Sequence, residues 1–98
     1  MSSLADESEQ QMMDELAAAI RKLEVGPFLL STTSTLASLV YGKLEQGEVG
    51  QAKAGIDAIA ALLPVMKGQV EDEILRGFER ALADLQVAYA GAASGPSN

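Results

Sequence analysis

An uncharged stretch of eighteen residues, from Val25 to Gly42, constrains this chain more than any other feature. Its length matches a membrane span, and a helix without a charged face is usually buried on more than one side. Its middle, however, carries six hydroxyl residues: Ser31, Thr32, Thr33, Ser34, Thr35 and Ser38. A hydroxyl costs free energy in hydrocarbon unless it bonds to the helix, and no aromatic belt flanks the stretch. We therefore expect burial in protein and no membrane span.

The charge balance argues against a nucleic-acid or anionic-membrane partner. The chain has 98 residues with 7 Lys and Arg against 14 Asp and Glu, for a net charge of −7. The acidic residues Asp6, Glu7, Glu9, Asp14 and Glu15 all precede the first basic residue. Phosphate backbones and anionic lipids would be repelled by such a chain. The N-terminal sequence lacks the features of a secretory signal, so we expect a cytoplasmic protein of bacterial or archaeal type.

The absence of cysteine and histidine removes most catalytic and metal chemistry. Disulfides, zinc sites of the Cys/His kind and histidine-based triads are excluded. The paired carboxylates, such as Glu71 to Glu73, are typical of a solvated helix start and not of a buried acid–base pair. No phosphate-binding or calcium-binding loop is present. We expect neither an enzyme nor a bound cofactor or metal.

Apolar residues at helical spacing predict four helices and no strand. The predicted helices cover residues 6–23, 27–45, 49 or 51–67, and 71–89. Pro64 lies inside the third helix and predicts a kink or an early end there. The predicted fold is all-α: a single domain, residues 1–98, formed by a small bundle with an acidic first helix and a three-helix core. Residues 1–5 and 91–98 are predicted to be frayed tails.

Glycines mark the predicted ends of the helices. Gly26 suits a left-handed position after the first helix, and Pro27 suits the first turn of the second. Gly47 and Gly50 mark a short loop. Gly68 is expected to close the third helix.

The second helix, which offers an apolar or small surface nearly all round, leaves two alternatives. Either the other three helices wrap it within one chain, or its second face completes a homo-oligomer, with a dimer favoured. We prefer the oligomer, because short neighbours in so small a domain cannot easily surround one helix. The predicted interface comprises Leu29, Thr33, Leu36, Val40 and Tyr41 of the second helix and Phe78, Leu82, Leu85 and Tyr89 of the fourth.

Lys53 and Asp57, four residues apart in the third helix, form a candidate polar pair. One alternative is an exposed ion pair that adds little stability. The other is polar packing, in which Asp57 is partly buried and bonds the hydroxyls of the second helix or Tyr41.

The second half of the chain resembles a family of short bacterial proteins, the domain of unknown function 1844 family. The resemblance covers Phe28 to Tyr89, and its departures are Pro64, a short loop between the second and third helices, and the acidic first helix outside the match. The resemblance implies an all-α bacterial protein and brings no established activity. The matching residues are Phe28, the run STTSTLAS, Ala52, Lys53, Ile56, Asp57, Leu62, Lys67, Gly68, Val70, Glu73, Glu79, Leu82, Asp84, Leu85 and Tyr89.

These observations favour a non-enzymatic helical module for protein interaction that associates with itself. A variant of this hypothesis gives the acidic first helix a basic protein partner. The alternative is a carrier or sensor of a small molecule or lipid, with an apolar pocket inside the bundle lined by Met12, Met13, Met66 and Phe78.

Overall fold

The computed structural model describes residues 3–94, with side chains from residue 6 onward, and contains four α-helices. In chain order they are α1 (Ser3–Arg21), α2 (Val25–Glu45), α3 (Val49–Met66) and α4 (Asp72–Ser94). Within these residues the only extended pairing is one isolated bridge between Lys67 and Val70. The prediction of an all-α helical bundle is confirmed.

The hydrophobic core belongs to α2, α3 and α4, which all pack against one another. Its centre is formed by α3, which supplies five of the buried side chains because its apolar residues recur every three or four positions. The buried apolar residues are Val40, Ala52, Ile56, Ile59, Leu63, Met66, Leu75 and Leu85.

Within the described chain, α1 packs against none of the other three helices. The helical path breaks between α1 and α2, and the axis turns by 105° at the break. As a result the radius of gyration is 18.6 Å, compared with about 13 Å for a compact domain of 100 residues. The accessible surface is 6894 Å², compared with about 5,300 Å² for a compact chain of this mass. The molecule is therefore a three-helix bundle, formed by α2, α3 and α4, from which α1 projects.

Gly26 and Gly68 were both predicted to lie at helix ends, and the prediction for Gly26 is wrong. Gly68 follows α3 with φ of 86°, a left-handed conformation that glycine adopts without a Cβ clash. Gly26 does not end α1. It lies buried in the first turn of α2, where a Cβ would overlap the carbonyl oxygen of Gln69. Gly26 is therefore needed for the close approach of α2 to the turn between α3 and α4.

The ends of α3 and α4 differ slightly from the prediction. The third helix continues through Pro64 and ends two residues later at Met66. A proline in the last turn removes only one backbone hydrogen bond, so the helix tolerates it there. The fourth helix extends beyond Tyr89 to Ser94, so residues 91–94 of the predicted tail are helical. Residues 3–5 of the predicted N-terminal tail are also helical, because α1 begins at Ser3. Residues 1–2 and 95–98 lie outside the described part.

Candidate interaction surface

The predicted interface residues lie mainly in the core of the bundle. Thr33, Val40 and Leu85 are 0–1% exposed, so no partner can reach them while the bundle is folded. Five others are half-buried and pack on the edge of the core: Leu29, Leu36, Phe78, Leu82 and Tyr89. Of the nine, only Tyr41 is substantially exposed. The prediction placed the interface on the face of α2 that packs against α3 and α4. Burial of that face within a single chain contradicts this assignment.

Helix α2 is covered on one side only. Its inner face packs against α3 and α4, and α1 does not cover the opposite side. The structure therefore does not show α2 enclosed by all three other helices of the same chain. Apolar periodicity identified the residues that are suited to burial, but it did not show which helices would cover them.

Thr33, one of the six hydroxyl residues of α2, is buried in the core. Its Oγ1 donates to the sulfur of Met66 at 3.5 Å. Thioether sulfur is a weak acceptor, so this bond offsets only part of the cost of burying the hydroxyl. In contrast, the Oγ1 of the exposed Thr35 donates to the backbone carbonyl of Ser31 at 3.0 Å, which satisfies the hydroxyl within the helix.

The outer face of α2 is uncharged and exposed. Phe28 and Leu39 are 52% and 54% exposed, and the small polar residues Ser31 and Thr35 lie between them along the helix. Ser31, Thr35 and Leu39 also line one shallow depression on this face. A second helix could approach this face closely, because its central side chains are small.

The first helix and its final turn carry five of the twelve large apolar side chains that are exposed among the described residues. Met12, Met13, Leu16, Ile20 and Leu23, which we call the α1 stripe, are 52–67% exposed. Their spacing of three and four residues places them on one side of α1 and its final turn. That turn continues to Leu23 through a hydrogen bond from its backbone N–H to the carbonyl of Ile20. The α1 stripe is an amphipathic helix face that no other part of the described chain covers.

The α1 stripe joins the outer face of α2 at the bend between the two helices. An open depression of about 190 Å³ is lined by Ile20 of α1, by Leu23 and Glu24 of the connection, and by Val25 and Phe28 of α2. We call its four apolar residues, Ile20, Leu23, Val25 and Phe28, the elbow. Because both helices contribute apolar side chains to one depression, the two exposed faces are continuous. The sequence showed the stripe but could not show the bend that joins it to α2.

Lys53 and Asp57 form an exposed ion pair on α3. The Nζ of Lys53 donates to the Oδ2 of Asp57 at 2.8 Å, and both side chains are more than half exposed. The prediction of polar packing against α2 is therefore wrong, and the exposed alternative is correct. The hydrogen bond to Asp57 and the attraction of its charge raise the pKa of Lys53 above 10.5.

The proposed apolar pocket inside the bundle is not assembled from the residues predicted for it. Met12 and Met13 lie on α1, away from the bundle, whereas Met66 is 0% exposed in the core. Phe78 packs on the edge of that core. Among the side chains of residues 6–94, no group of three or more Asp, Glu, His or Cys is placed to hold a metal ion.

One helix in the described chain is long and apolar enough to cross a membrane by length and composition alone. This helix is α3, and α1 with α2 would also qualify if the bent pair were counted as one span. The core helix of a soluble protein meets the same criteria, and α3 supplies most of the buried side chains here. The expectation of no membrane span stays a prediction.

The chain was compared with known families, curated proteins and solved structures. No family model, no curated protein and no solved structure matches it. The resemblance described from the sequence therefore stays a prediction, and the geometry of the surface is the basis for assigning a function.

Proposed function

We propose that this protein is a self-associating helical interaction module, in which the α1 stripe and the elbow bind a second copy of the chain. The observation that carries the proposal is the exposed apolar surface that runs from α1 across the bend to α2. Soluble monomers rarely expose contiguous apolar patches larger than a few hundred Å². A larger patch usually marks a binding surface.

The size of this surface suits a dimer. The α1 stripe, Val25 and Phe28 are seven large apolar residues, each 52–67% exposed. A fully buried apolar side chain removes roughly 60 to 120 Å² from water, so the seven would bury about 250 to 500 Å² per copy. A standard interface buries about 800 Å² per partner, of which roughly 60% is apolar. Full coverage of these residues would therefore supply most of the apolar area that one copy of a standard dimer buries.

The extended shape of the chain gives a second argument for a partner of similar size. The accessible surface exceeds that of a compact chain by about 1,600 Å², using the measured area of 6894 Å². Helix α1 contributes to this excess because it projects from the bundle instead of packing on it. Association through α1 would bury surface that folding of a single chain leaves exposed.

The experiment is light scattering behind a sizing column across a hundredfold range of protein concentration. We expect a dimer that dissociates on dilution. The variant Leu16→Glu places a carboxylate in the centre of the α1 stripe and should shift the protein to monomer. Gln11→Glu is the matched control, because it adds the same charge to an exposed position of α1 away from the stripe.

A protein that stays monomeric at every concentration would overturn the proposal. Equal dissociation of the Leu16→Glu and Gln11→Glu variants would also overturn it, because the effect would then come from net charge and not from the stripe. Circular dichroism should show that the Gln11→Glu variant keeps the wild-type helix content, and that any loss in the Leu16→Glu variant does not exceed the contribution of α1.

A further inference from the structure

We infer that two copies pair through antiparallel α1 helices, and that each copy places Met12 and Met13 in the elbow of the other. This inference rests on the proposed self-association and specifies its geometry. It follows from the order of residues along the α1 stripe, the charge of Glu9 in line with that stripe, and the depression at the bend.

An antiparallel pair centred on Ala18 matches apolar residues with apolar residues. In that register Leu16 of one copy lies opposite Ile20 of the other, and Met13 lies opposite Leu23. Each of these four side chains is more than half exposed in the single chain. A two-fold axis through the centre creates every contact twice, so one helix supplies both halves of a closed interface.

The same register brings methionines to the elbow. Met13 of one copy reaches Leu23 of the other, and Leu23 forms part of the depression with Val25 and Phe28. Met12 precedes it and lies level with Glu24 of the other copy, which also lines the depression. Methionine is unbranched and flexible, so it fills irregular apolar depressions well. The bend of 105° between α1 and α2 creates this depression. Without the methionines of a second copy, the apolar side chains of the elbow are exposed to water.

The charges on α1 favour the antiparallel arrangement over the parallel one. Glu9 precedes Met13 by four residues and Leu16 by seven, so it lies in line with the α1 stripe, and it lines one depression on α1 together with Met12, Met13 and Leu16. A parallel pair would place Glu9 of one copy beside Glu9 of the other, where like charges repel. The antiparallel register separates the two Glu9 residues, because it places them at opposite ends of the helix pair.

Disulfide trapping tests this geometry, because the native chain has no cysteine that could compete. Two full-length variants, Met13→Cys and Leu23→Cys, are prepared with tags of different mass, mixed and oxidised. In the antiparallel register, cysteines of two like variants are about 15 Å apart, since they differ by ten residues along the helix. A disulfide requires Cβ atoms within about 4.5 Å.

We expect the mixed disulfide between the two variants to exceed either like disulfide at least tenfold. An excess of like disulfides would show parallel pairing and overturn the inference. A dimer in light scattering that forms no disulfide of either kind would also overturn it, while the proposed self-association would stand. A monomer in light scattering, measured on the wild-type chain, would overturn both.

Discussion

The close contact between α2 and α3 at Gly55 makes the sharpest prediction about the core. A Cβ at Gly55 would overlap the Cγ2 of Val40. Val40 is 1% exposed, and valine in a helix has one strongly preferred rotamer. Its methyl group therefore cannot rotate away without displacing other core side chains. Gly55→Ala is expected to push α2 and α3 apart or to strain Val40.

Two opposing effects set the size of the change. Alanine is more favourable than glycine in a helix interior by about 0.8 to 1 kcal/mol. Overpacking of a filled core costs about 1 to 3 kcal/mol. The matched control is Gly77→Ala in α4, where a Cβ would meet no atom within 4 Å. Gly77→Ala should therefore stabilise by about 1 kcal/mol, and Gly55→Ala should be less stable than this control by about 1 to 3 kcal/mol.

Urea unfolding at one fixed protein concentration measures both variants, because the stability of a dimer depends on concentration. The double variant Gly55→Ala with Val40→Ala then tests the cause. The methyl group added by Gly55→Ala would occupy space that the shortened side chain at position 40 has vacated, so the two changes should couple favourably by about 1 to 3 kcal/mol. If Gly55→Ala stabilises as much as Gly77→Ala, the helices do not approach closely at Gly55 and the reasoning is refuted.

Two further predictions concern polar groups. Thr33→Val should raise the free energy of unfolding by about 1 kcal/mol, because the buried hydroxyl has only a weak acceptor. Urea unfolding measures this change, and Thr35→Val at an exposed position should change stability by less than about 0.5 kcal/mol. Asp57 raises the pKa of Lys53 above 10.5, so the pair stabilises the fold below that pH and ceases to do so as the pH rises through the folded pKa. The Tm of wild type should therefore exceed that of Lys53→Gln at pH 8, and this difference should vanish at higher pH; a difference independent of pH would contradict the assignment.

Local patterns in the sequence predicted the helices well but not their mutual arrangement. The apolar spacing of Ile56 and Ile59 and the glycine after α3 are short-range signals, and the structure agrees with them. Which face of α2 would be covered depends on the direction in which α1 leaves the bundle. That direction is set by the bend before Val25, and no periodic pattern encodes it. The face assigned to a partner was therefore the face that α3 and α4 cover.

The same limit applies to Gly26. Its neighbour Pro27 and its position after an amphipathic run both suggested a helix end. The structure instead uses its missing side chain for contact with Gln69, which is 43 residues away in the sequence. Contacts between distant parts of the chain determine this role, so the local sequence could not distinguish it from a turn.

The lack of packing between α1 and the bundle has a consequence for folding cooperativity. Most of the stability of a helix in a protein comes from tertiary packing of its amphipathic face, and α1, with 19 residues, packs against no other helix of the described chain. In a single chain its amide hydrogens should therefore exchange almost as fast as those of an unfolded peptide, while those of α3 exchange only through global unfolding. A partner that covers α1 would join the two parts into one cooperative unit. The helicity of α1 would then report directly on the fraction of chains that are bound.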